Sequence, residues 1–198
     1  MTTDLTERGR AKADRQAALL RQAARLFADR GFAGVSLEDL GTAVGITGPA
    51  VYRHFSSKQA LLGAILVEVS RTLLDGGRAV VAAGRSAADS LDALIAFHVD
   101  FALASADVIR VQDRDLSSLS DAERRTVKRL QREYVEVWVG VLARLRPALS
   151  ETELRVRAHA CFGLINSTPH SLSAARHGVD EDQLPGILSA MARASLMA

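Results

Sequence analysis

The chain has 198 residues, 48% of them hydrophobic and 24% charged, with a net charge of +2; this describes a water-compatible chain able to bury one core or two small ones. A single cysteine, Cys161, excludes an internal disulfide and a cysteine-based zinc cluster, and points to a reducing cytoplasm. The N-terminus is polar, without an apolar signal region, and no run of about 18 apolar residues could span a bilayer, so no membrane association is expected.

Apolar residues recur at helical steps, and helix-start signals punctuate them. Ala18, Leu19, Leu26 and Phe27 lie on a first helix that stops at Gly31. Ser36 to Asp39 starts a short second helix ended by Gly45, and Thr47 can cap a third running to about Phe55. Ser56 to Gln59 reads as a capping box for a fourth, ending near Gly76-Gly77. Ser86 to Asp89 opens a helix through Phe97 and Phe101, and a shorter piece lies around Val108 to Leu116. Ser120 to Glu123 opens a helix ending at Arg146-Pro147, Ser150 to Glu153 one ending at Gly178, and Asp180 to Gln183 the last. With no alternating pattern, the expected fold is all-α with about nine helices. A three-helix helix-turn-helix domain at 12–60 would precede a helical domain at 61–198.

The stretch from Leu37 to Phe55 carries the function. Leu40, Val44, Ile46, Val51 and Phe55 are spaced for a small shared core, and Gly45 supplies the left-handed backbone that redirects the chain. Two short helices crossing at such a turn place the second in a DNA major groove. Thr47, Gly48, Pro49 and Ala50 are small enough for close approach, while Tyr52, Arg53 and His54 carry donors suited to phosphate oxygens. Lys58, in the first turn of the next helix, opposes the helix dipole, as a phosphate partner would justify. Up to Lys58 the chain holds nine basic against six acidic residues, which permits a DNA partner without identifying one.

Gln16 to Leu66 resembles the DNA-binding domain of the TetR family of bacterial regulators through Ala24, Leu26-Phe27, Gly31-Phe32, Leu40, Val44-Gly45, Val51-Tyr52, His54-Phe55, Lys58 and Leu61-Leu62. The resemblance implies a homodimer reading a palindromic operator, with a C-terminal domain that dimerises and binds a small-molecule effector. By position it assigns DNA contacts to Ser36, Leu37, Thr47, Gly48, Ala50, Tyr52, Arg53, His54 and Lys58. Because Gly48-Pro49-Ala50 offers almost no side-chain hydrogen bonds, base reading there would rest on apolar contact and DNA shape.

The second half is similar, at Phe162 to His170, to actinobacterial TetR-type regulators associated with lipid metabolism. His159, Asn166, His170 and His177 share a helical stripe at steps of seven, four and seven. Those steps are too long for one metal, so no metal or cofactor is expected. The stripe suits a dimer face, a set of buried polar partners near Pro169, or a ligand pocket. Phe97, His98, Phe101, Tyr134, Trp138, Phe162, Asn166 and His170 are the candidate ligand-binding residues, with plain core packing the alternative for the aromatic ones. They suit a largely apolar effector such as an acyl-CoA or lipid metabolite. Arg110, Asp113, Arg114 and Asp115 form a charge cluster, either solvated or a hinge near the pocket mouth. Leu154, Phe162, Leu164, Ile165, Leu184, Ile187, Leu188 and Met191 offer apolar surface for dimerisation. Cys161 and His159 point about 200° apart on a helix and cannot form a catalytic dyad, and no phosphate loop is present. No enzyme activity is expected.

Overall fold

A computed structural model describes residues 2–83, 86–175 and 182–198, with the backbone alone at 2–15, 49 and 168–175. Among the described residues there are nine α-helices, one 3-10 turn and no strand. They are α1 (Thr2–Arg30), α2 (Leu37–Ala43), α3 (Gly48–Val51), α4 (Lys58–Ala82), α5 (Ala87–Ala104), α6 (Ala106–Asp115), α7 (Asp121–Leu145), α8 (Glu151–Ala175) and α9 (Leu184–Met197), the 3-10 turn lying between α6 and α7.

The caps explain most of these starts. Ser36 and Asp39 close a reciprocal capping box, the Ser36 hydroxyl accepting from the Asp39 N–H at 3.0 Å and the Asp39 carboxylate accepting from the Ser36 N–H at 2.8 Å. Ser120 and Glu123 do the same for α7, and Ser86 and Ser150 accept from the N–H groups of Asp89 and Glu153. Four expectations are corrected. The cap of α4 is Ser57, bonded to the Ala60 N–H, because Ser56 lies outside the helix; no capping box forms there. That helix runs past Gly76-Gly77 to Ala82, since tight packing, rather than a helix end, accounts for these glycines. A Cβ on Gly77 would stand 2.7 Å from the Tyr134 ring. The third helix ends at Val51, and three-residue turns carry the chain to Phe55. The last begins at Leu184, with Pro185 in its first turn, rather than near Asp180.

Two apolar clusters organise the helices. The first joins Leu19, Phe27, Leu40, Val51 and Phe55 to Leu61, Leu62 and Leu66 of α4, and draws in Val111 of α6, Leu119 of the link that follows and Val127 of α7. The second centres on Leu91, Leu94, Val99, Trp138, Leu142, Ile165 and Leu188. Helix α4 supplies residues to both, so it is the shaft between them. Gly45, with φ of +70°, makes the turn between α2 and α3 that an L side chain would strain.

The apolar face expected for dimerisation divides. Leu154, Ile165 and Leu188 are buried within the monomer, because they face the second cluster. Val156, Ile187 and Met191 stay exposed at 63%, 47% and 51%. They are the large apolar side chains that the described parts of α8 and α9 leave exposed.

Candidate DNA interface and effector cavity

The short helix α3 is held against α2 by backbone closeness. Gly41 O accepts from the Ile46 N–H at 2.9 Å, and a Cβ on Gly48 would lie 3.3 Å from Glu38 Cγ. Gly48 is therefore small for the sake of the α2–α3 contact. Val51 and Phe55 plug the first cluster. The other side of the turn is open: Thr47, Tyr52 and Arg53 are exposed, Tyr52 at 56%, and Ala50 and His54 are half-buried. Thr47 makes no side-chain cap bond. Of the residues expected at the DNA, Thr47, Ala50, Tyr52, Arg53 and His54 thus share one surface. Ser36 lies at the start of α2 with its N–H and hydroxyl bonded to Asp39, and Leu37 is buried.

Lys58 has a different environment from the one expected. Its ammonium donates to the carbonyls of Phe32 at 2.7 Å, Ala33 at 3.5 Å and Val35 at 2.8 Å, and sits 4.5 Å from the Phe32 ring centre. An ammonium has three N–H groups, and all three are engaged. This explains a cation in the first turn of α4 without a phosphate: the attraction comes from the α1–α2 loop. A partner 26 residues away left no local signal.

A second cation joins the two halves. Arg114, near the end of α6, donates to the carbonyls of Phe27 and Ala28 in the last turn of α1 and pairs with Asp115 at 3.0 Å. The charge cluster read from the sequence is therefore anchored, not merely solvated, at Arg114.

Between α4, α5, α6, α7 and α8 lies a cavity of about 220 Å³. At its centre is His98, 2% exposed. Its Nε2 lies 3.2 Å from Asn166 Oδ1 and its Nδ1 lies 3.1 Å from the Tyr134 hydroxyl. A carbonyl oxygen only accepts, so Nε2 carries the hydrogen and Nδ1 accepts from the phenol. Burial pushes the imidazole down to about 4, with the Asn166 bond pulling the other way. Burial likewise pushes the Tyr134 phenol up. The Phe162 ring lies 4.7 Å from that of His98, and Trp138 meets Phe162 edge-on at 5.1 Å.

Of the candidate ligand residues, His98, Tyr134, Phe162 and Asn166 line the cavity. Trp138 and Phe101 sit behind the His98 cluster, while Phe97 packs on Gly76 and belongs to the core. The side chain of His170 lies outside the described residues, as does His177. His159 of the histidine stripe lines it too, beside Leu73 and Val135, and sequence reasoning missed the polar Ser70, Gln112 and Gln131, which complete the lining. Each is one polar residue on an otherwise amphipathic helix, a signal shared with any solvated position. Cys161 is a small residue of the core, and burial pushes its thiol up to about 12. Among the described residues no three potential ligands gather around a metal position, and no helix is long and apolar enough to cross a membrane.

A helix-turn-helix on a helical body enclosing a cavity defines a class of DNA-binding regulators. Residues 19–65 match the profile of the bacterial regulatory proteins of the tetR family, and residues 84–170 that of the tetracyclin repressor-like C-terminal domain. Together these cover more than half of the chain, which belongs to the TetR family of transcriptional regulators. It is 33% identical over 132 residues to the HTH-type transcriptional repressor KstR2 of Rhodococcus jostii, a match spanning 66% of this chain and 65% of that protein. A TetR-family regulator from Bordetella parapertussis superposes with a TM-score of 0.76 at 23% identity, over 91% of each chain. AibR, solved with isovaleryl coenzyme A and operator DNA, does so with a TM-score of 0.73 at 20% identity, over 89% of this chain and 97% of that one.

Two predictions follow from this geometry. Lys58→Met should lower both the melting temperature and operator affinity while leaving the slope of log affinity against log salt unchanged, because no phosphate contact is removed. A slope shallower by about one ion per monomer would return Lys58 to the DNA. For His98, the unfolded chain titrates near 6.5 and the folded one near 4. Between these values the unfolded state binds the extra proton, so stability falls as pH drops from 6.5 towards 4, by up to about 1.4 kcal/mol per pH unit. Thermal unfolding of His98→Gln across that interval should show a flatter profile than the parent; equal profiles would place the titration elsewhere.

Proposed function

We propose that the chain is a homodimeric repressor that leaves a palindromic operator when a small, largely apolar effector, of acyl thioester type, enters the His98 cavity. DNA binding belongs to residues 12–60, and effector binding and dimerisation to 61–198, in a cytoplasmic protein. Thr47 and Ala50 face base edges, and Tyr52, Arg53 and His54 hold phosphates. The isovaleryl coenzyme A of AibR supports the effector class.

The observation that carries this reading is a short mechanical path. Gln112 lines the cavity, and two residues further along α6 Arg114 grips the last turn of α1. A ligand displacing Gln112 shifts the Arg114 anchor and with it the helix-turn-helix. Tenfold release from DNA requires the ligand to prefer the released conformation by about 1.4 kcal/mol.

With an operator selected from random-sequence DNA, isovaleryl-CoA and longer acyl-CoAs should change Trp138 emission and release the DNA. Arg114→Met should keep the emission change but need at least about tenfold more ligand for release. Release unchanged in that variant would move the coupling off α6; no response to any acyl-CoA would remove the effector class. Dimerisation through the uncovered α8–α9 face predicts that Ile187→Glu sediments as a monomer and binds operator poorly. A dimeric variant with parental affinity would place the interface on another surface.

A further inference from the structure

We infer that the end of the effector entering the cavity is an uncharged acyl group whose carbonyl oxygen accepts from the Asn166 amide, so that the site takes a thioester, ester or amide and rejects the free carboxylate. This rests on the effector reading above. The first support is charge. No Lys, Arg, Asp or Glu is among the described residues lining the cavity. A carboxylate there would lose its water without gaining a Lys or Arg partner. The buried His98 supplies no charge, since it stays neutral above about pH 4, and the other lining imidazole, His159, is exposed, where water weakens any pairing with an anion.

The second support is hydrogen-bond direction. Tyr134 donates to His98 Nδ1 and His98 Nε2 donates to Asn166 Oδ1, a one-way chain across α7, α5 and α8. It fixes which end of the Asn166 amide is occupied: the oxygen is taken, and the NH₂ is the end left for a guest. Among the described residues no hydrogen bond uses that NH₂. The Ser70 hydroxyl, by contrast, is bonded to the Leu66 carbonyl at 2.7 Å. Asn166, its oxygen held by the buried His98, thus lines the cavity with a donor to offer, and a donor selects an acceptor such as a carbonyl oxygen. The third support is size. A volume of about 220 Å³ lies below the roughly 300–1,000 Å³ of whole-ligand pockets, so it admits an acyl group while a nucleotide-sized carrier stays outside.

The test uses the full-length protein at pH 7.5 and three probes of one carbon skeleton: hexanamide, hexanoate and hexanoyl-CoA. Hexanamide and hexanoyl-CoA should change Trp138 emission, with hexanamide binding at least about tenfold tighter than hexanoate. Asn166→Leu should weaken hexanamide about tenfold, the loss of one buried hydrogen bond. Hexanoate binding as tightly as hexanamide, or hexanoyl-CoA binding alone, overturns the inference and leaves the effector cavity standing. Failure of all three to alter Trp138 emission or loosen the operator complex overturns the cavity reading and this inference together. The comparison of the three probes on the parent protein decides the matter even if the variant does not fold.

Discussion

The carbonyls at the end of α1 and in the loop behind it tie the molecule together. A helix leaves its last four carbonyls without intrahelical donors, and they carry the negative end of the dipole. Here Gly31, with φ of +78°, turns the chain and bonds back to Phe27, but the strong donors come from elsewhere. Arg114 reaches in from α6 to Phe27 and Ala28, and Lys58 reaches in from α4 to Phe32, Ala33 and Val35. Each cation gains a site that favours its charge, and each carbonyl gains a donor. The consequence is geometric. The placement of the helix-turn-helix depends on two helices that belong to, or lead into, the helical body around the cavity.

That arrangement separates what the sequence reveals from what it hides. Local grammar was legible. Ser36 with Asp39 and Ser120 with Glu123 are capping boxes whose partners lie three residues apart, and Gly45 announces its turn by being glycine. Where two serines adjoin, as at Ser56 and Ser57, the pattern misplaces the cap by one residue. Pro185 inside the first turn of α9 likewise outranks the acidic run before it as a start signal. Long-range contacts were not legible. Lys58 looked like a phosphate ligand because its local position is unfavourable, and the compensation comes from carbonyls 23 to 26 residues earlier. Gly48 looked like room for DNA, yet its missing Cβ makes room for Glu38.

The same division runs through the cavity. His98, Tyr134, Phe162 and Asn166 could be named from the sequence because aromatic and amide residues are conspicuous on apolar faces. Which of them make a wall and which make the floor depends on side-chain direction. Trp138 is fully buried behind the wall, and Phe97, only one residue from His98, points about 100° away and packs against α4. Ser70, Gln112 and Gln131 carry no such signal, since a polar residue on a helix is far more often solvated than enclosed.

The cavity combines a polar lining with no Lys, Arg, Asp or Glu among its described lining residues. A core histidine needs a partner for each ring nitrogen, and Tyr134 and Asn166 meet that need, which accounts for the relay without any ligand. It does not account for the empty volume beside it or for the glutamines facing that volume. The cavity also adjoins α6, whose Arg114 holds the end of α1. Gln112 in the wall and Arg114, two residues on, therefore put one helix in contact with both the cavity and the carbonyls on which the helix-turn-helix rests.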